Sequence, residues 1–446
     1  MLTPMPAVLL LLSLVTFAFP PTESPTFLDR VIDAVREETM HPYRGLSAQE
    51  HVDRTTLHGK IMAGYQGWFN APEDESKRGW VHWSKDGPME DGHAAVDLWP
   101  DMTEYGGRYP TGFKHKDGSV AKVFSSLDKE TVLLHFEWMQ TYGIDGVFVQ
   151  RFLPPNLDLK YWRSTNTILA HCREGANRSG RTYAVMYDLS GLGAGETTRV
   201  KDDWNALRRQ MRITDDKAYL HHNGKPLVVV WGIGFADGRR YTLDECLDLV
   251  KHLQADGCTV MIGVPTFWRE GGQDALREPL LKEIVETADL VSPWTVGRYD
   301  SPAMAESYAS EVLKPDLDWA RQRGTELMPV VFPGFSWHNL HGGPLNQIPR
   351  QKGQFFWTQL MAAKDAGAEM IYVAMFDEVD EATAIFKCTN DPPVAQTNQF
   401  LTYEGLPSDY YLQLTGQAGE VLRGERQPTE APPQPRLGGR IAEPHH

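Results

Sequence analysis

Residues 371–386 read IYVAMFDEVDEATAIF, and within them an apolar, β-branched run is followed at once by Asp377, Glu378, Asp380 and Glu381. Negative charge held against the end of a buried strand is electrostatically costly, so carboxylates kept there need a purpose. Glu378 and Glu381 stand three positions apart. In a turn or the start of a helix they would share one side, with Cβ atoms about 5–6 Å apart. Repulsion between two such carboxyls raises the pKa of one, so that a protonated acid sits beside an ionised base. Glycosidic bond cleavage uses such a pair: one group protonates the leaving oxygen and the other serves as base or nucleophile. Two other readings of the same residues stay open. Carboxylates sit favourably on a helix N-terminus, and hard cations such as Ca²⁺ or Mg²⁺ take oxygen ligands, although the D-x-D-x-D-G spacing of an EF-hand is absent.

The elements that must position these acids come from the alternation of β-rich and helical runs. Eight apparent strands cover 60–69, 145–152, 182–190, 226–235, 259–268, 289–297, 327–337 and 370–378. Between them, Val132, Leu133, Phe136 and Met139 share a helical face that stops at Gly143, and Thr242 with Glu245 has capping-box spacing. A further helix carries Phe356, Leu360 and Ala363 and ends at Gly367. This order predicts an α/β chain folded as a (β/α)8 TIM barrel in one catalytic domain, residues 25–415, with an open doubly wound sheet as the alternative. GIGFADG at 232–238 lacks the G-x-G-x-x-G spacing of a dinucleotide loop.

In β/α barrels the chemistry sits at the carboxyl ends of the strands. Those ends carry Tyr65, Gln66 and Trp68; Gln150 and Arg151; Tyr187 and Asp188; Trp231; Phe267, Trp268 and Arg269; Trp294 and Arg298; Trp337, His338 and Asn339; and the acid cluster. Aromatic faces stack on the C–H-rich faces of sugars, and amides and carboxylates take the hydroxyls, so the ring suits a polyhydroxylated ligand. Taken singly, each has a plainer explanation: a strand-end Trp lids a core and a strand-end Asp caps the next helix. It is their coincidence at most of the ends that points to a sugar.

The chain has 446 residues, 13 of them Trp and 16 Tyr, and a formal net charge of −15. With no basic tract, a nucleic-acid partner is excluded. The apolar run 7–19, closed by Pro20 and Pro21, reads as the core of a signal peptide over 1–24, which implies a secreted or periplasmic protein; a retained N-terminal anchor is the alternative. No second run is long enough to span a membrane. Cys172, Cys246, Cys258 and Cys388 form no CxxC pair, and either disulfides or free buried thiols fit them. The long stretch 70–124, rich in Gly, Pro, Trp and Asp, is expected to be functional or to hold extra structure. Residues 416–446 read as a disordered Pro-rich tail.

AGYQGWF (63–69), GIDGVFVQRF (143–152), FPGFSWHN (332–339) and AMFDEVDEATAIFK (374–387) resemble the glycoside hydrolase family 71/99-like group, some of whose members are labelled xylosidase/arabinosidase. FDEVDEAT more distantly resembles the E-W-H-E segment of the family 99 endo-α-mannosidases, with Val379 and Asp380 in place of Trp and His. The resemblance implies a retaining glycoside hydrolase. Glu378 would act as base on the substrate's own 2-hydroxyl, giving a 1,2-anhydro sugar, and Glu381 as acid and then as base toward water. Tyr65, Gln66, Trp68, Gln150, Arg151, Asp188, Trp231, Trp337, His338, Asp377 and Asp380 would be candidate carbohydrate contacts, with no metal or cofactor. A catalytically inactive carbohydrate-binding barrel and a metal-dependent hydrolase using the acid cluster as ligands are the alternatives.

Overall fold

The computed structural model describes residues 27–153 and 158–436. The expected signal peptide lies outside them. Among the described residues twelve strands occur in chain order: β1 (Ile61–Tyr65), β2 (Tyr109–Lys114), β3 (Val120–Val123), β4 (Gly146–Phe152), β5 (Thr182–Asp188), β6 (His221–His222), β7 (Lys225–Trp231), β8 (Thr259–Pro265), β9 (Leu290–Trp294), β10 (Glu326–Leu327), β11 (Val330–Val331) and β12 (Ile371–Val373). Nine of them form a parallel sheet in the order β10-β9-β8-β7-β5-β4-β1-β12-β11, with β6 antiparallel on β7. Every residue of β1 and of β8 is buried. That is the pattern of a parallel sheet buried on both faces, here with strand side chains such as Phe148, Trp294 and Tyr372 meeting one another inside the curl.

The expectation of a closed eight-stranded barrel is corrected by this ladder. The sheet curls but is open, and its edges are the dipeptide strands β10 and β11, one paired with β9 and the other with β12. The predicted seventh strand, 327–337, is the element that fails. Met328 and Pro329 separate β10 from β11, and beyond Val331 the chain leaves the sheet. Pro329 has no N–H to give a ladder and fixes its own φ; Pro333 and Gly334 follow in the same stretch. The other seven predicted strands overlap observed ones.

The local helix signals behave as their chemistry dictates. Gly143 closes the helix Lys129–Tyr142 at φ 74°, and Thr242 and Glu245 form a reciprocal capping box on Leu243–Ala255. The boundary expected at 415/416 falls inside the buried helix Tyr410–Leu422. Beyond it the chain still packs: the Trp357 indole donates to the Thr429 carbonyl, and Tyr410 Oη donates to that of Pro433. All four cysteines are free and buried. Among the described residues no helix is long and apolar enough to cross a membrane.

The stretch 70–124 carries the hairpin β2–β3 and a bridged, irregular segment that braces the acid-bearing loop. Backbone N–H groups of Asp97 and Leu98 donate to the Val379 carbonyl at 3.0 and 3.2 Å. The Asp97 carboxylate accepts the backbone N–H groups of His338 and Asn339, both at 2.8 Å. One buried side chain thus ties the insertion to the segment after β11.

Candidate functional site

No helix starts at the acid cluster; residues 374–386 form a tight loop after β12. Its four carboxylates divide by direction. Asp377 turns into the protein, where Oδ1 accepts the Gln66 N–H and Oδ2 the Gly67 N–H, each at 2.8 Å. Gly67 has a φ of 59°, a left-handed conformation that favours glycine, and it brings that N–H to the carboxylate. Burial pushes the Asp377 carboxyl up to about 7, against the pull of these hydrogen bonds. Asp380, 1% exposed, faces the insertion, and its Oδ2 lies 2.9 Å from His82 Nδ1. The His82 ring stacks on Trp68 at 3.8 Å with planes 2° apart.

Glu378 and Glu381 face the other way, into a cleft of about 490 Å³ at the carboxyl ends of the strands. Glu378 Oε1 accepts the Gln66 side-chain amide at 2.8 Å, and Oε2 accepts the Thr383 hydroxyl at 2.6 Å. Burial pushes its carboxyl well above the ordinary range, and the charges of Glu381 and Asp380 add to the effect. The Glu381 carboxyl is pushed up to about 8 by burial and by Asp380, while a hydrogen bond from Trp337 pulls it back.

Of the residues expected from the sequence, Gln66, Trp68, Gln150, Asp188, Trp231, Trp337, Glu378 and Glu381 line this cleft together. The Gln150 amide reaches Tyr372 Oη at 3.2 Å. Asp188 accepts the Ser190 N–H at 2.7 Å, and burial raises its carboxyl. Trp68 has one face covered by His82.

Five expected residues lie outside the cleft lining. Tyr65 is fully buried, and its hydroxyl is 2.9 Å from Nδ1 of His135, a core imidazole that burial pushes down to about 3. Arg151 grips the buried Asp203 through Nε at 2.5 Å and Nη2 at 2.7 Å. His338 Nδ1 lies 2.9 Å from the Gly343 carbonyl. Asp377 and Asp380 are bound as described. Alternation along a strand sends neighbouring side chains to opposite faces, so a strand-end residue has an even chance of pointing away from the cleft.

Phe152, Phe235, Arg239, Gln347, Tyr372 and Met375 line the cleft without having been expected. Arg239 stands over the Trp231 and Phe235 rings, at 5.0 and 4.9 Å from their centres. Tyr372 lies within β12, where inward residues read as core; Gln347 lies in a loop with no sequence signal.

Among the described residues, the group with metal-ligand geometry is His58, His222 and Glu326, whose ligand atoms lie within 4.8 Å of one another. It sits at the amino ends of the strands, away from the cleft. His222 Nδ1 accepts the Leu57 N–H at 3.0 Å, so the ring hydrogen is on Nε2, which donates to Glu326 at 2.8 Å. The Asn223 amide donates to the same carboxylate at 3.0 Å. His58 Nε2 lies 2.5 Å from the other oxygen of Glu326, so the three side chains are joined by hydrogen bonds.

No family model and no curated protein matches this chain. Among solved structures, the GH99 endo-alpha-mannosidase from Bacteroides thetaiotaomicron superposes with a TM-score of 0.58 at 17% identity, covering 83% of this chain and 99% of that one. The same enzyme in complex with BIS-TRIS-propane gives 0.56 at 17% identity, with coverages of 83% and 99%. A protein described as glycoside hydrolase-like gives 0.52 at 13% identity, covering 86% of this chain and 98% of that one. At these identities the likeness is one of fold: this chain has a glycoside-hydrolase-like architecture over most of its length.

Proposed function

We propose that the chain is a retaining glycoside hydrolase acting on a glycan through Glu378 and Glu381, and that it is exported. The observation that carries this reading is the pair itself: two carboxyls on the wall of one aromatic cleft, both with pKa values raised by burial and by neighbouring charge. Such pairs titrate as one system, and raised values keep a proton on the pair near neutral pH. We assign the negative charge to Glu378, whose two oxygens each accept a hydrogen bond that favours the ionised form against the upward push of burial. Glu381, whose carboxyl is pushed up to about 8 by burial and by Asp380, is assigned the proton of the pair.

In the first step Glu378 takes the proton of the sugar 2-hydroxyl. The 2-oxygen attacks the anomeric carbon, and Glu381 protonates the departing oxygen. In the second step Glu381 removes a proton from water, which opens the 1,2-anhydro ring, and Glu378 returns its proton to the 2-oxygen. Two inversions leave the anomeric configuration retained. The α-mannoside and pentose-containing classes are the substrates to try first, on the strength of the sequence resemblance.

The test is Glu378→Gln and Glu381→Gln, assayed on α-linked mannans, glucans and pentose-containing glycans and on an activated aryl glycoside. Each variant should lose most turnover of the natural glycan. On the aryl glycoside, whose leaving group needs little protonation, Glu381→Gln should keep more of its first step than Glu378→Gln. Near-wild-type rates in both variants would defeat the proposal.

A further inference from the structure

Among the described residues the cleft contains one cation whose hydrogen-bonding ends are uncommitted. Arg298 lines the cleft, and its Nε donates to Asp274 Oδ2 at 2.7 Å. Asp274 is itself pinned: its carboxylate also accepts the backbone N–H groups of Thr266 and Phe267 at 3.0 and 3.1 Å. The backbone N–H of Arg298 closes a turn onto the Thr295 carbonyl at 3.0 Å. The guanidinium is thus held in plane from its Nε side. Among the described residues neither Nη1 nor Nη2 has a protein hydrogen-bond partner, and the side chain is 33% exposed.

The other charged groups of the cleft are differently placed. Arg239 is spent on Asp237, Ser190 and Tyr241. Asp237 has that arginine as its counter-ion. Asp188 is bound by Ser190, and Glu378 by Gln66 and Thr383. A planar fork of donors, held on one side and open on the other, matches two oxygens in a plane better than it matches single hydroxyls.

We infer that Arg298 is a specificity-determining residue that binds an oxyanion substituent, a carboxylate or a sulfate ester, on a sugar unit beside the one being cleaved. The inference rests on the glycosidase reading of the same cleft and names its substrate class: an acidic glycan. The fork takes two oxygens of the substituent in parallel N–H···O bonds, while the aromatic rings hold the apolar faces of the sugar.

The test separates this assignment from the catalytic one by measuring binding without turnover. Quenching of the cleft tryptophans is titrated with glucuronic acid, glucose 6-sulfate and glucose, using wild-type protein, Glu378→Gln, Arg298→Gln and Arg298→Lys. Wild type and Glu378→Gln should bind at least one of the two anions roughly ten-fold or more tighter than glucose, since hydrogen bonds to charged groups exceed neutral ones. Whichever anion shows the preference identifies the source. Arg298→Gln should remove the preference, and Arg298→Lys, which keeps the charge and loses the fork, should restore only part of it. Thermal melts of both variants matching wild type show that the fold survives. If all three sugars bind equally, if none binds, or if Arg298→Gln keeps the anion preference, the assignment is wrong, whatever the glutamate variants do to turnover.

Discussion

Replacing Arg151 with methionine should unfold the protein more readily while leaving the chemistry of each folded molecule intact. Arg151 sits at the carboxyl end of β4, where a sugar contact is expected, yet its side chain is 2% exposed and its partner Asp203 1%. Nε and Nη2 bind the two carboxylate oxygens of Asp203, Nη2 also reaches Asn166 Oδ1 at 2.8 Å, and Tyr187 Oη donates to Asp203 at 2.8 Å. Methionine fills much of the same volume but leaves Asp203 with one hydroxyl partner and no counter-charge. Breaking a buried ion pair from one side costs about 3–5 kcal/mol, because the remaining charge is stranded. Against a total stability of about 5–15 kcal/mol, this is a large fraction. Urea denaturation followed by tryptophan fluorescence should show the midpoint falling with little change in slope. The double variant Arg151→Met with Asp203→Asn removes the stranded charge and should recover at least half of the loss. Turnover per folded molecule and KM should stay near wild type in both. A single variant of unchanged stability, or one of normal stability with a raised KM, would refute the reasoning and return Arg151 to the sugar site.

The pH dependence has a defined sign. Asp377 and Glu381 hold protons up to about 7 and about 8 in the fold, against about 4 when unfolded, so the stability they contribute is complete below about pH 4 and is lost as pH rises through those two values. The melting temperature should be higher at pH 5.5 than at pH 8.5; equal or reversed values would count against these buried protons. If Glu381 is the acid, turnover should fall as pH rises through about 8, and a flat profile to pH 9.5 would remove it from that role. EDTA should leave turnover unchanged; loss on chelation with rescue by Ca²⁺ or Mg²⁺ would favour the metal-dependent alternative.

How far the fold and site could be read from sequence follows from the range of the interactions. The alternation of strand and helix, the stop at Gly143 and the capping box at Thr242 and Glu245 depend on residues a few positions apart, so the sequence states them directly. The failure of the seventh strand is also local, since Pro329 cannot donate to a ladder, but its consequence, an open sheet instead of a closed barrel, is visible only in the pairing of β10 and β11.

The four acids were legible as a group, while their division was not. Asp377 is turned inward by backbone donors at Gln66 and Gly67, and Asp380 by His82 in the insertion, partners about three hundred positions away in the chain. Arg151 and Asp188 both end strands, yet one is buried on Asp203 and the other lines the cleft. Residue type and spacing determine that a side chain can carry charge. Only the packing of β12 against β1, and of the insertion over both, decides which charges are matched inside the protein and which face the cleft, because a carboxylate goes where donors compensate the loss of water.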